Sequence, residues 1–188
     1  VHRSPPLRLV AVLGLLVAVT LRWLAYFLGP DQPVLPVLSH LAAGVYMAFL
    51  AAIVFFTVLA HREITHNTIM GAVCGYLLIA YVFAFGYLML EVLSPGSIAI
   101  PNRPVTAERA YEFAGVGPVL MYFSFSTLTT LGYGDILPVS PLARSLATLE
   151  VVGGQLYLVA FVARLVAVMK AGPGRDRGPD HEAPPGAG

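Results

Sequence analysis

The chain has 188 residues, of which 57% are hydrophobic and only 11% are charged. A soluble domain carries about twice that charged fraction, so the composition excludes an ordinary soluble protein and indicates an integral membrane protein whose first partner is the lipid bilayer. The net charge is only +1, so there is no basic excess that would indicate a nucleic-acid partner.

Two apolar stretches fill the N-terminal third of the chain. They cover residues 7–28 and 34–60, and a Gly-Pro-Asp-Gln-Pro turn separates them. Each is long enough to cross a bilayer, which takes about 20 residues. Arg22 lies beside Trp23 near the outer end of the first stretch, the usual pattern at a membrane interface. Because neither stretch carries a motif, residues 1–67 are predicted to be a peripheral helix pair without an assigned role.

A third spanning segment covers residues 68–93 and ends in an apolar run that includes Glu91, where a carboxylate can reach the headgroup region. Residues 94–112 are polar and rich in proline, which predicts an external loop. The next apolar segment begins at Phe113 or Gly115 and runs to Thr129. It is short, so we predict a helix that enters only part of the bilayer, where irregular backbone is tolerated only beside protein or water.

The most informative stretch is residues 126–135, which read Ser-Thr-Leu-Thr-Thr-Leu-Gly-Tyr-Gly-Asp. Its two glycines stand at alternate positions and allow backbone dihedrals that residues with a side chain avoid. Such a run can hold successive carbonyls toward one axis. The carbonyl oxygens of residues 130–133, with the Thr130 hydroxyl below them, can then replace the water around a dehydrated cation.

Residues 127–135 resemble the signature sequence of the potassium channel family, because the threonines, both glycines, the tyrosine and the aspartate follow the family's order. The resemblance implies a selectivity filter that binds K⁺ passively, four loops around one axis, and no cofactor beyond the permeant ion. Leu131 stands where the family usually has Val or Ile, so the degree of selectivity stays open. The implied filter residues are Thr130, Leu131, Gly132, Tyr133 and Gly134, with K⁺ at the first four.

The resemblance also implies which side chains support the filter. In the family, the filter tyrosine packs on aromatic residues of the pore helix, and here Tyr133 has Tyr122 and Phe123 available. The family's aspartate is often tied to a pore-helix tryptophan, whereas here the Tyr122 hydroxyl would donate to Asp135. Ser126 stands where some relatives have a buried carboxylate, which predicts a weaker clamp. The full set of expected support residues is Tyr122, Phe123, Ser126, Thr127, Thr129 and Asp135.

The fourth spanning segment, residues 142–169, is interrupted by Gly153-Gly154-Gln155. By its spacing from the filter, Gly154 matches the hinge glycine of the family's inner helix, and a small-residue helix contact is the alternative. Glu150 is costly within a span and is expected to face protein or water. It stabilises the filter from behind, tunes the cavity's cation affinity or is held protonated, while Gln155 is a candidate to face the cavity. The gating or cavity candidates are thus Glu150, Gly153, Gly154 and Gln155.

Four spans place both termini on one side of the membrane. That side collects Arg3, Arg8, Arg62, Arg164, Lys170, Arg175 and Arg177, while Arg22, Arg103, Arg109 and Arg144 fall on the other. The positive-inside rule therefore predicts cytoplasmic termini in the cell membrane and a filter that opens outward. The outer acidic residues Asp31, Glu91, Glu108, Glu112 and Asp135 would raise the local cation concentration.

The sequence thus predicts an all-α membrane protein with four transmembrane helices, a re-entrant pore helix and a filter loop. Residues 1–67 form the peripheral pair, 68–170 the potassium-channel-like pore module and 171–188 a disordered cytoplasmic tail. One filter loop per chain implies a homotetramer. The alternatives are a less selective cation channel and a non-conducting accessory or scaffold subunit, and a regulatory partner stays open. No set of residues supports an enzyme.

Overall fold

The computed structural model describes residues 5–28, 34–60, 66–100 and 113–170. Its elements in chain order are α1 (Pro5–Leu28), α2 (Val34–Ala60), α3 (His66–Leu93), β1 (Ile98–Ala99), α4 (Phe113–Leu128), β2 (Leu137–Pro138) and α5 (Pro141–Lys170). Most of the predicted external loop, residues 101–112, and the predicted tail, residues 171–188, lie outside the described residues.

Within the described residues, four helices are long and apolar enough to cross a membrane, namely α1, α2, α3 and α5. The fifth helix, α4, has 16 residues. At 1.5 Å per residue it extends about 24 Å, which is less than the roughly 30 Å of a bilayer's hydrocarbon core. The predicted all-α architecture, with four long apolar helices and one short helix before the glycine-containing loop, is confirmed.

The helices pack in a sequence that makes α3 central. Helix α1 packs on α2, α2 on α3, and α3 contacts both α4 and α5. None of the spanning residues of α1 is buried, whereas a third of those of α3 are. The main core lies among α3, α4 and α5, with Tyr87, Leu88, Leu120 and Phe123 at its centre. Helices α1 and α2 are therefore peripheral to this core in the single chain.

A two-stranded antiparallel pair closes one end of this core. Ile98 pairs with Pro138 and Ala99 with Leu137, and the Val139 N–H donates to the Ser97 carbonyl at 2.8 Å. The pair ties the turn after α3 to the segment that follows the glycine-containing loop. The sequence does not predict this pair, because a strand of two residues is too short to show an alternating pattern.

Candidate functional site

The short helix α4 buries one side of its surface. Val116, Leu120, Phe123, Ser124 and Leu128 are buried and recur every three or four residues, so they form one stripe along the helix. The stripe packs mainly on α3. This packing fixes α4 directly before the loop of residues 130–135, which we call the filter loop.

Two hydrogen bonds from side chains pin α4 to α3. The Tyr76 hydroxyl donates to the Leu128 carbonyl at 2.9 Å, and the Ser124 hydroxyl lies 2.7 Å from the Ala80 carbonyl. The last carbonyls of a helix have no partner within the helix. Tyr76 therefore satisfies one of these carbonyls at the end of α4 where the filter loop begins.

The filter loop starts as a Schellman motif at the end of α4. The Thr130 N–H donates to the Thr127 carbonyl at 2.9 Å, and the Leu131 N–H donates to the Ser126 carbonyl at 2.9 Å. In this motif the residue after the cap adopts a left-handed conformation and is usually glycine. Here it is Thr130, whose φ is 59°. A β-branched residue with positive φ is a genuine outlier, and such strain clusters at functional sites.

The sign of the backbone angle φ alternates along the filter loop. Thr130, Gly132 and Gly134 have φ values of 59°, 54° and 80°, whereas Leu131 and Tyr133 between them do not have positive φ. Such alternation can turn successive carbonyls toward one side of the chain. A Cβ atom on either glycine would meet none of the described residues within 4 Å. The backbone conformation, and not a lack of space, is what requires glycine here.

Tyr122 lies beside the C-terminal half of the loop. Its ring lies parallel to that of Tyr133, with the centroids 6.4 Å apart and 8° between the planes. Desolvation raises the pKa of Tyr122, and a hydrogen bond to the Asp135 carboxylate raises it further. The structure therefore brings together Tyr122, Tyr133 and Asp135.

The other expected support residues occupy different places. Phe123 does not join Tyr133 but packs on Tyr87, with ring centroids 4.9 Å apart, because adjacent residues of a helix point about 100° apart. Ser126 is buried and its carbonyl accepts the loop N–H groups. Thr127 is half-buried, and the exposed Thr129 donates its hydroxyl to the Phe125 carbonyl at 2.7 Å.

Glu150 is fully buried where α3, α4 and α5 meet. The Tyr87 hydroxyl donates to its Oε2 atom at 2.6 Å, and its Oε1 atom is hydrogen-bonded to Ser124 Oγ. We call these three residues the Glu150 cluster. The cluster joins one residue from each of three helices, and it places the carboxyl group against the buried side of α4.

The hydrogen atoms in the Glu150 cluster can be counted. Ser124 has one hydroxyl proton but lies near two acceptors, the Ala80 carbonyl and the Glu150 carboxyl group. A neutral Glu150 would donate its own proton to Ser124 Oγ, and Ser124 would then donate to Ala80. A carboxylate would compete with the Ala80 carbonyl for the single proton. Since buried polar groups are normally all satisfied, the count favours a neutral carboxyl group.

The paired glycines of α5 have different surroundings. Gly154 is buried, and a Cβ atom there would lie 2.5 Å from Leu128 Cδ1, whereas a Cβ atom on Gly153 would meet nothing within 4 Å. Gln155 is exposed. Gly154 thus lies in close contact with the end of α4, a packing contact that a small residue allows. The hinge role stays a prediction.

This contact predicts that Gly154→Ala lowers stability and that Gly153→Ala does not. Alanine gains about 1 kcal/mol of helix propensity over glycine at both positions. At position 154, however, the methyl group must displace the fully buried Leu128, and such overpacking costs about 1–3 kcal/mol. Thermal unfolding of the two variants in the same detergent measures the difference. Equal melting temperatures for the two variants would contradict the contact.

The expectation for Glu91 was wrong. It was placed in the headgroup region as an outer acidic residue, but its side chain is fully buried. Its Oε2 atom accepts from the Gly96 N–H at 2.9 Å, and its Oε1 atom accepts from the Ile98 N–H. The turn after α3 folds back over the helix end, and its N–H groups need an acceptor there. Glu91 therefore organises the turn that leads into β1.

We expect Glu91→Ala to loosen the paired strands beside the outer end of the filter loop. The change leaves the Gly96 and Ile98 N–H groups without their acceptor, and each such loss costs about 1–3 kcal/mol. Faster amide hydrogen exchange at Ile98 and Val139 is the expected result. Ser94→Ala, an exposed position in the same turn, serves as the control. Unchanged protection in Glu91→Ala would show that the carboxyl group does not hold the turn.

Comparison with known proteins finds a similarity to ion channels. Residues 105–171 match a family model described as "Ion channel". The match covers α4, the filter loop and α5, and over these residues the chain is similar to ion channels. The matched family consists of channels and not of enzymes.

A more particular similarity is to a potassium channel. The chain is 32% identical over 92 residues to the inward rectifier potassium channel Kirbac3.1 of Paramagnetospirillum magnetotacticum. The aligned part is 49% of this chain but only 26% of that relative. No solved structure gives a significant match to the chain.

Proposed function

We propose that four copies of this chain form a channel that conducts K⁺ passively. The observation that carries the proposal is the alternating backbone of the filter loop, with positive φ at Thr130, Gly132 and Gly134. The carbonyl oxygens of residues 130–133 replace the hydration shell of K⁺ in this proposal. The similarity to an inward rectifier potassium channel supports the choice of ion.

The tetramer follows from the geometry of ion binding. One loop supplies carbonyls from one direction only, whereas a dehydrated ion needs them on all sides. The filter loop is exposed in the single chain, with Leu131 55% and Tyr133 68% exposed. Exposed apolar side chains also continue along α5, among them Leu149, Leu156 and Val159. Three further copies around the axis would cover these surfaces, which supports a closed assembly.

The proposal also includes the orientation of the chain in the membrane and the roles of its helices. Basic residues favour cytoplasmic termini in the cell membrane, so the filter loop opens outward. Residues 68–170 act as the pore module, and α1 and α2 pack on its outside. In this arrangement the Glu150 cluster positions α4 behind the filter loop, because it joins α4 to both neighbouring helices.

A less selective cation channel is the second candidate, and one residue favours it. Leu131 occupies a filter position where the potassium channel family usually has a β-branched residue, and its side chain is exposed on the loop. The leucine side chain is longer than that of valine and is not branched at Cβ, so the loop packs differently against its surroundings. The backbone that presents the carbonyls would then be held less firmly.

Rubidium uptake by liposomes, combined with native mass spectrometry, tests the proposal. Liposomes loaded with K⁺ and diluted into a medium low in K⁺ should concentrate radioactive rubidium, and an excess of outside Na⁺ should not compete. The protein should also have the mass of four chains. Uptake that Na⁺ abolishes would favour the less selective channel. A protein that is not tetrameric and takes up no rubidium would contradict conduction and favour the accessory subunit.

A further inference from the structure

The peptide unit that leads from α4 into the filter loop is held by hydrogen bonds on both sides. The Leu128 carbonyl accepts from the Tyr76 hydroxyl at 2.9 Å, and the Thr129 N–H donates to the Phe125 carbonyl at 3.1 Å. These two groups belong to one planar peptide unit, so holding both of them fixes its orientation. Thr130, the first residue of the filter loop, follows directly. The Tyr76 hydroxyl therefore helps to set the direction in which the chain enters the loop.

The N–H groups of the loop donate to other carbonyls. Those of residues 130, 131 and 132 donate to the carbonyls of Thr127 and Ser126. In a longer helix the Leu128 carbonyl would accept from the N–H of residue 132, which here donates to Ser126 instead. Within the described residues, the buried Leu128 thus has the donor for its carbonyl on another helix. Removing the Tyr76 hydroxyl leaves this carbonyl without that donor.

Tyr157 of α5 holds Tyr76 in place. The Tyr157 hydroxyl donates to the Ala72 carbonyl at 2.7 Å, and this carbonyl is also the one that the Tyr76 N–H reaches within an α-helix. The ring centroids of Tyr76 and Tyr157 are 6.1 Å apart, a separation at which aromatic rings attract each other. A Cβ atom on Gly75 would lie 2.6 Å from the Tyr157 hydroxyl oxygen. The close approach of Tyr157 to α3 therefore requires a glycine at position 75.

The peripheral helix α2 contacts Tyr157 through Phe55. The ring centroids of Phe55 and Tyr157 are 5.8 Å apart, and Phe55 is half-buried whereas Tyr157 is buried. Contacts therefore run from Phe55 on α2 to Tyr157 on α5, then to Tyr76 on α3, and from Tyr76 to the last carbonyl of α4. We call Phe55, Tyr157 and Tyr76 the aromatic series. It connects a peripheral helix to the entrance of the filter loop.

We propose that Tyr76 is a positioning residue for ion selection and that Phe55 and Tyr157 hold it in place, so that α2 contributes to the selectivity of the channel. This inference rests on the proposed conduction of K⁺. A filter of carbonyl oxygens selects an ion by the number and placement of those oxygens. The Tyr76 hydroxyl acts on them through the peptide unit of Leu128 and Thr129. Without it, that peptide unit can turn, and the loop that follows accommodates Na⁺ better.

The ratio of Na⁺ to K⁺ permeability, measured from reversal potentials in planar bilayers, tests the role of Tyr76. Tyr76→Phe removes only the hydroxyl, and we expect the ratio to rise about fivefold, the factor that one hydrogen bond is worth. Tyr81→Phe is the matched control, because Tyr81 is on the same helix and packs its ring on Phe125 of α4. It should leave the ratio unchanged. A purely structural Tyr76 would lower the melting temperature and leave the ratio as it is, and that result would overturn the proposal.

A double-mutant cycle tests the contribution of α2. Phe55→Ala should raise the permeability ratio in the unaltered chain and add nothing in Tyr76→Phe, because the hydroxyl that Phe55 helps to hold is then absent. Val45→Ala, at an exposed position of α2, should have no effect in either chain. An equal effect of Phe55→Ala in both chains would exclude transmission through Tyr76 and overturn this part of the proposal.

Failure of this inference and failure of the proposed function give different results. An unaltered chain whose current does not distinguish K⁺ from Na⁺ would contradict both. A selective unaltered chain with an equally selective Tyr76→Phe would overturn only the positioning role. Calorimetric titration of K⁺ into the protein in Na⁺ solution covers a variant that does not conduct. Tyr76→Phe should bind K⁺ about fivefold more weakly, and an unchanged affinity would overturn the proposal. Circular dichroism confirms that the helices of each variant are intact.

Discussion

Replacing Gly134 by alanine is expected to abolish K⁺ conduction and leave the helical fold in place. Gly134 has a φ of 80°, and an added Cβ atom would meet nothing within 4 Å in the ranges that the structure describes. A residue with a side chain pays about 1–2 kcal/mol to stay in this left-handed region. Because residues 131–135 are exposed in the part of the chain that the structure describes, the backbone can relax to negative φ, and the carbonyl alternation that the proposed filter needs would be lost. Rubidium uptake by liposomes measures the loss.

Gly96→Ala is the matched control for this substitution. Gly96 also has a positive φ, of 85°, and none of the described residues lies within 4 Å of a Cβ atom added there. It lies in the turn between α3 and β1, outside the filter loop. Both variants therefore carry the same kind of backbone strain, and only Gly134→Ala places it in the loop. Equal rubidium uptake by the two variants would mean that the alternating backbone is not the conducting element.

The second large effect is expected at Glu150. Glu150→Ala removes the acceptor of the Tyr87 hydroxyl and one of the two partners of Ser124, which keeps the Ala80 carbonyl. The orphaned Tyr87 hydroxyl alone costs about 1–3 kcal/mol. Glu150→Gln should lose less, because its amide oxygen can accept from Tyr87 and its amide nitrogen can donate to Ser124 as a neutral acid does. We therefore expect thermal unfolding to rank the proteins as unaltered chain, Glu150→Gln and then Glu150→Ala, with the alanine variant clearly the least stable.

A double-mutant cycle separates the stability that comes from the hydrogen bond between Tyr87 and Glu150 from the stability that comes from packing of the Glu150 side chain. Tyr87→Phe keeps the ring packing on Phe123 and removes only the hydroxyl. Tyr87→Phe should lower the melting temperature strongly in the unaltered chain and only slightly in Glu150→Ala, because Glu150→Ala has already removed the hydrogen bond. Additive effects would show that the two groups do not act together. Equal destabilisation by Glu150→Gln and Glu150→Ala would contradict the neutral carboxyl group inferred from the hydrogen count.

Much of the fold could be predicted from the sequence because it depends on local signals. The four long apolar stretches and the short apolar segment before the filter loop can each be recognised from composition. The predicted end of the pore helix at Thr129 differs from the observed end of α4 at Leu128 by one residue. A bilayer removes most alternatives to the helix, since backbone polar groups must be satisfied within each span.

The contacts between distant residues were not predictable in the same way. Glu150 was singled out because a charge within a span is rare, but its partners are 26 and 63 positions away and carry no signal of their own. Glu91 looked like a surface acid because the following turn, which buries it, is formed by tertiary structure. Thr130 breaks a local rule, since a β-branched residue avoids positive φ. Such a conflict between local preference and structure is typical of a functional site.

The reversal potential of the purified protein in a planar bilayer, with K⁺ on one side and Na⁺ on the other, tests the central claim most directly. The account predicts a reversal potential close to the equilibrium value for K⁺, because four loops with the alternating backbone of Thr130, Gly132 and Gly134 select the ion that their carbonyls can dehydrate. A robust current that reverses near zero would contradict potassium selectivity and would show that the loop with Leu131 passes both ions.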